Sequence, residues 1–397
     1  MNVATLSLGY LRARALSTAL NVLLLALGVA TITLLLLTMH QLEERMGRDA
    51  RGIDLVAGAK GSPLQVILSA IYHLDVPTGN IPLAQAKEIA KHRMVKKTIP
   101  LALGDTYKGF RIVGTNHDYV AHYGAKPAAG RLWEKPMEAV IGAEIAQRLG
   151  HAVGATFIGA HGIADAGSDH GDAPYSVVGV LAPSGTVLDR LVLVSVESVW
   201  LVHDEHQGTD AKVTEEDKEV TALLIQYASP LAVAVLPRYI NNNSEMQAAS
   251  PAYETARLFS VIGVGVDVLR GFALVLMLSA GLSLFIALYN ALRERRYDLA
   301  LMRTLGARPR TLMALMLFEG ALLAGFGAVL GLALGHALTE VLGQSLKAAQ
   351  QIAVTGWTWV PAELWLIGLA LAVGVLAALL PAWRAYRTDI ALTLARG

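Results

Sequence analysis

Residues 16–39 read LSTALNVLLLALGVATITLLLLTM, an apolar run without one charged side chain. A helix rises 1.5 Å per residue and a bilayer core is roughly 30 Å thick, so about 20 apolar residues cross it. In hydrocarbon every backbone amide must find its partner within the segment, so such a run is helical. Three more stretches meet this test: 267–292, 311–338 and 364–383. The fold class expected is an integral membrane α-helical protein with four transmembrane helices. A large α+β extracytoplasmic domain, 40–258, is inserted between helices 1 and 2.

Composition agrees. Apolar residues make up 54% and charged residues 16%, against about 45–50% and about 25% in soluble domains. Disorder needs the opposite balance. A formal net charge of +1 speaks against a nucleic-acid partner, which would leave a basic excess. No cysteine is present, which excludes disulfides, thiolate metal sites and cysteine nucleophiles. The first span is too long for a cleavable signal and is read as an uncleaved anchor.

Arginines set the expected orientation. Arg12 and Arg14 precede span one, six arginines from Arg293 to Arg310 separate spans two and three, and Arg384, Arg387 and Arg396 follow span four. Segments 1–15, 293–310 and 384–397 are therefore expected in the cytoplasm. The loop 339–363 lies on the other side with the inserted domain, and Trp357, Trp359 and Trp365 fit an interfacial aromatic belt. Within the insert, 82–92 has the spacing of a surface helix, and 139–150 reads as a strand running into a glycine-closed helix. Residues 175–196 read as two strands split by Pro183–Ser184–Gly185, and 221–228 as a buried strand. Gln41–Arg51 and Ser244–Phe259 are expected to extend spans one and two as helices.

The segment 290–307, NALRERRYDLALMRTLGA, places dense charge at helical spacing directly after an apolar span. Gly306–Ala307 marks a C-cap, and Pro309 suits the first turn of the next helix. By charge alone this is a basic loop against anionic lipid. The pattern, however, resembles the MacB/FtsX-type (type VII, mechanotransmission) ABC transporter permeases, which carry a run like RERRREIGLLRALGA here. The matches are Arg293, Glu294, Arg295, Arg296, Leu301, Arg303, Leu305, Gly306 and Ala307, with Asp298–Leu299 standing where the family has Glu–Ile. Glu319–Gly320 and Gly325, Gly327, Gly331 and Gly335 follow in the family order, and the C-terminal LPAWRAYRTDIALTLARG is similar to the family's ending.

The resemblance implies a non-catalytic permease subunit of the bacterial inner membrane, driven by a cytosolic ABC ATPase on a separate chain that holds ATP and magnesium. It implies pairing with a second copy or a similar permease, contact with membrane lipid, and room for a periplasmic partner. No G-x-x-x-x-G-K-[ST] loop is present, so no ATP site is expected here. Arg293, Glu294, Arg295, Arg296, Asp298, Arg303, Leu305, Gly306 and Ala307 would form the ATPase-coupling segment. The implied work is extrusion or extraction of an amphipathic cargo (peptide, lipoprotein, haem or drug-like) with a possible link to metal homeostasis. The alternative is an FtsX-like signalling subunit that regulates an envelope enzyme without transport.

Glu319 is the acidic group inside span three. Buried carboxylates there need a partner, and a bond to a neighbouring helix or to the coupling segment is expected over a proton relay. The span-three glycines Gly320, Gly327, Gly331 and Gly335 fit close helix packing between paired permeases. Asp267 and Arg270 suit an i,i+3 pair, and His336 an interfacial place. In the insert, His161, Asp169, His170, Asp172, His203 and His206 offer zinc-type ligands, though solvated turns rich in Asp and Gly are expected over a metal site.

Overall fold

The computed structural model describes residues 3–161, 174–206, 218–350 and 354–387. In chain order its helices are α1 Val3–Ala13, α2 Ala15–Asp49, α3 Pro63–Ala70, α4 Leu83–Ala90, α5 His117–His122 and α6 Ala143–Leu149. There follow α7 Val196–His206, α8 Ala232–Asn243, α9 Pro251–Glu294, α10 Arg296–Thr304, α11 Pro309–Gln350 and α12 Glu363–Tyr386. Two compact units result: Met1–Leu42 with Ile262–Gly397, and Glu43–Val261. The unit boundaries fall inside α2 and α9.

In the first unit, α2, α9, α11 and α12 are long and apolar enough to cross a membrane. Their shared core joins Leu25 and Val29 to Met277, Ala324, Ala328 and Ala370. The glycines of α11 are used within the chain, which corrects the expectation that they serve paired permeases. A four-residue spacing puts Gly327, Gly331 and Gly335 on one helical face. That face lies on α2: a Cβ at Gly331 would meet Val29 Cβ at 2.6 Å, and one at Gly335 would meet Thr33 Cβ at 2.6 Å. Gly320 instead abuts Gly374 and Ala378 of α12. Without a hydrophobic drive between helices in lipid, such close approach supplies the packing. Helix α11 also runs on to Gln350, so much of the expected loop 339–363 is helical. Trp357, Trp359 and Trp365 are exposed.

The second unit holds an 11-stranded sheet and a separate pair of β2 with β11; its strands are β1 Leu55–Ala59, β2 Ile81–Pro82, β3 Val95–Tyr107, β4 Phe110–Thr115, β5 Pro127–Gly130, β6 Glu138–Ile141 and β7 Thr156–Phe157. The remainder are β8 Ala160–His161, β9 Tyr175–Leu181, β10 Leu191–Ser195, β11 Glu219–Val220, β12 Ala222–Tyr227 and β13 Met246–Ala249. The order is β13-β1-β12-β3-β4-β10-β6-β9-β5, with β10 parallel to β4 and β6 parallel to β9. β3 joins two halves: its first part pairs with β12 and its last part with β4. The strands expected at 175–196 and 221–228 are β9, β10 and β12, and the helices at 82–92 and 139–150 are α4 and α6. Gly150, at φ +68°, closes α6.

Ser244–Phe259 departs from its expected continuous helix. Ser244 donates its hydroxyl to Ile240 O at 2.7 Å and accepts from Met246 N at 3.2 Å. That turn releases the chain into β13, which pairs with β1 before Pro251 opens α9. At the other entry, the end of α2 is fixed by a buried ion pair. Arg190 Nη2 donates to Asp49 Oδ2 at 3.2 Å and to Tyr72 O at 3.1 Å, and Asp49 and Arg190 are 1% and 6% exposed. Tyr123 donates its hydroxyl to the Asp49 carbonyl. Nearby, His73 Nε2 lies 3.1 Å from the Tyr119 hydroxyl. Burial, with Arg190 and Arg111 adding their positive charge, pushes the His73 imidazole down to about 3.

Removing one member of the Asp49–Arg190 pair strands the other in the interior. Arg190→Ala is expected to cost roughly 3–5 kcal/mol, and Asp49→Asn with Arg190→Met less than that; thermal unfolding of the purified protein measures both. His73 is neutral when folded but titrates near 6.5 when unfolded. Between these values the unfolded chain binds the extra proton, so stability falls as pH drops from about 6.5 toward 3. A His73→Gln variant should flatten the unfolding-midpoint curve across that window.

Candidate functional site

The charged segment between α9 and α11 folds as an elbow. α9 ends at Glu294, and Arg295 leaves helical geometry at φ −96°, ψ 9°. α10 follows and closes on Gly306 at φ +99°, a backbone region that a Cβ penalises. Gly306 N–H bonds Arg303 O at 3.1 Å, and Ala307 N–H bonds Met302 O at 3.0 Å. These two bonds form a Schellman cap. Pro309 then begins α11. The helix and glycine cap predicted from the spacing are both present.

The inner side of the elbow is held by charge. Arg295 is buried, and its Nη1 donates to Glu319 Oε2 at 3.3 Å and Oε1 at 3.4 Å. The same guanidinium lies 3.7 Å from the ring centroid of Tyr10, a cation–π contact strengthened by loss of water. Glu294 forms an ion pair with Arg14. Leu299 packs with Leu292, Leu312, Leu315 and Met316, and Ala382 and Ala385 of α12 join that cluster. Elbow, α11, α12 and α1 are thereby one packed body. Glu319 bonds the charged segment between α9 and α11, one of the two kinds of partner expected for it.

The outer side is different. Tyr297 and Leu301, one turn apart on α10, are 52% and 46% exposed, and Leu305 at the cap is 81% exposed. Arg293, Glu294, Arg296 and Asp298 are exposed around them, while Arg303 and Ala307 are half-buried. An apolar stripe rimmed by charge suits a groove on a partner. The sequence reading missed Tyr297 in this stripe, and it missed Tyr10 and Arg14 behind the elbow. Tyr10 and Leu6 share a four-residue spacing in α1 and pack against the elbow cluster, a helical signal inside a flank read only for its charge.

The other predicted groups are dispersed. Asp267 and Arg270 pair at 3.0 Å on an exposed turn. His336 Nε2 lies 3.0 Å from Glu363, and its Nδ1 meets Gly356 O. His161 ends β8, and His203 and His206 lie in the last turn of α7. Asp169, His170 and Asp172 fall outside the described residues, as do the C-terminal matches beyond 387. Among the described residues no three His, Asp or Glu side chains gather as a metal site.

Two family models match the chain. The MacB-like periplasmic core domain covers residues 18–235, and the FtsX-like permease C-terminal domain covers 270–390. An uncharacterised ABC transporter permease of Methanocaldococcus jannaschii is 27% identical over 31% of this chain and 31% of its own length. The macrolide export ATP-binding/permease protein MacB of Syntrophobacter fumaroxidans is 24% identical over 34% of this chain and 18% of its own. The lipoprotein-releasing system transmembrane protein LolC of Neisseria meningitidis is 25% identical over 57% and 54%. The matches thus span about half of these relatives or less.

The elbow's two fixings are separable by substitution. Gly306→Ala should cost about 1–2 kcal/mol through its left-handed backbone. Glu319→Ala should cost roughly 3–5 kcal/mol by leaving Arg295 without a counter-charge. Pairing Glu319→Leu with Arg295→Met should cost less than Glu319→Ala alone, read as thermal unfolding in one detergent.

Proposed function

This chain belongs to the family of MacB-like and FtsX-like ABC transporter permeases, and from that premise we propose that it converts ATPase motion at α10 into motion of the inserted domain. The observation that carries the reading is the exposed stripe of Tyr297, Leu301 and Leu305 on an elbow rigidly seated by Arg295 and Glu319. A cytosolic ABC ATPase on a separate chain docks on that stripe, with Arg296 and Asp298 at its rim. When two ATPase subunits close on ATP, each pulls its α10. The buried ion pair prevents α10 from rocking alone, so α11 moves with it.

Helices α2 and α9 pass unbroken from the first unit into the second. In this reading they are the levers, and Asp49–Arg190 is the joint at which α2 grips the inserted domain. The permease works with a second copy or a similar permease in a bacterial inner membrane, its inserted domain outside, and displaces an amphipathic cargo there. The relatives named for macrolide export and for lipoprotein release support transport over a purely regulatory role.

The test is co-purification of the chain with its cytosolic ATPase. Leu301→Glu with Leu305→Glu puts two charges into the stripe and should reduce recovered ATPase by about tenfold or more. Membrane insertion and thermal stability should match wild type, because both side chains are exposed. Wild-type recovery of the ATPase by this variant would reject α10 as the docking element.

A further inference from the structure

A second surface of the membrane unit has the makings of a ligand site. Between α1, the start of α2 and the middle of α11 lies an open groove of about 610 Å³. Its walls include Leu11, Ala19, Val22, Phe326 and Leu330, and Arg12 lines it too. Thr18 also lines it, but its hydroxyl is already given to Leu11 O at 3.1 Å. Arg12 is therefore the polar group the groove presents.

The two arginines of this turn have different roles. Arg14 is committed to Glu294. Arg12 is exposed and forms no ion pair among the described residues. A cation lining an open apolar groove in a membrane helix bundle calls for an amphipathic anion. A second copy of the chain fits the groove less well. The glycine face of α11 that would let another helix approach is already filled by α2. What remains is rimmed by Phe326, Val329 and Leu330, which are 49%, 66% and 40% exposed.

We propose that this groove holds an acyl chain of an anionic phospholipid whose phosphate pairs with Arg12. The lipid would sit in the leaflet on the same side as the α10 elbow, wedged between α1 and α11. It would thus stabilise α1, the helix whose Tyr10 backs the Arg295–Glu319 pair.

Native mass spectrometry of the full chain in a non-ionic detergent tests this with two probes, palmitoyl-oleoyl-phosphatidylglycerol and palmitoyl-oleoyl-phosphatidylcholine. One interfacial cation should give about a fivefold preference for the anionic lipid. Arg12→Gln should bring the two lipids to parity, Arg12→Lys should keep the preference, and Arg308→Gln should leave it untouched. Ala19→Trp, which fills the groove, should lower binding of both lipids. No preference in the wild type, or a preference that survives Arg12→Gln, overturns the proposal. So does an Ala19→Trp protein that binds both lipids normally but loses a detergent-stable dimer, which would make the occupant a second copy.

Discussion

A guanidinium and a carboxylate removed from water are each expensive and tolerable only together. Arg295 and Glu319 obey that rule at the point where an apolar helix turns into a charged elbow. Their pairing decides which way the chain turns after Glu294, because Arg295 must face inward to reach α11. With Arg295 inward, Tyr297, Leu301 and Leu305 are left outward. The same inward turn gives Tyr10 a cation to stack on, which recruits α1 into the bundle. One electrostatic requirement thus arranges four helices and defines the exposed stripe.

The inserted domain repeats this logic at its own entrance. Asp49 terminates α2 in the interior, and Arg190 reaches it from the turn before β10. The ends of α9 and α2 are therefore both fixed by buried ion pairs instead of by apolar packing alone. Such pairs contribute little net stability but punish any geometry that parts them. That property suits parts that must move together without slipping.

Much of this was legible in the sequence because the bilayer imposes a simple length rule. The apolar runs, the glycine cap at Gly306 and the proline restart at Pro309 all have local signals, and a carboxylate inside an apolar span shows that Glu319 needs a partner without showing which. The partner of the α11 glycines did not: a period of four shows a face but not what meets it. β3 escaped notice because Lys96, Lys97, Pro100 and Gly104 break its alternation. Its pairing on both edges compensates for those residues, and such support is tertiary. β13 is only four residues long, too short for any periodic signature. The histidine-rich loops carried composition without spacing, which left their chemistry open.

The sheet's edge order has a consequence for how the protein is made. β1 lies between β12 and β13, with Val56 opposite Leu224 on one side and Ala249 on the other. The first strand of the domain thus has no sheet partner until almost the whole insert has been synthesised. Such long-range pairing is slow to form and leaves apolar strands uncovered meanwhile. α2, whose backbone hydrogen bonds are all local, suffers no such delay. Biogenesis is therefore ordered, with an anchored helix first, an unfinished sheet behind it, and closure only when the chain returns to its own beginning.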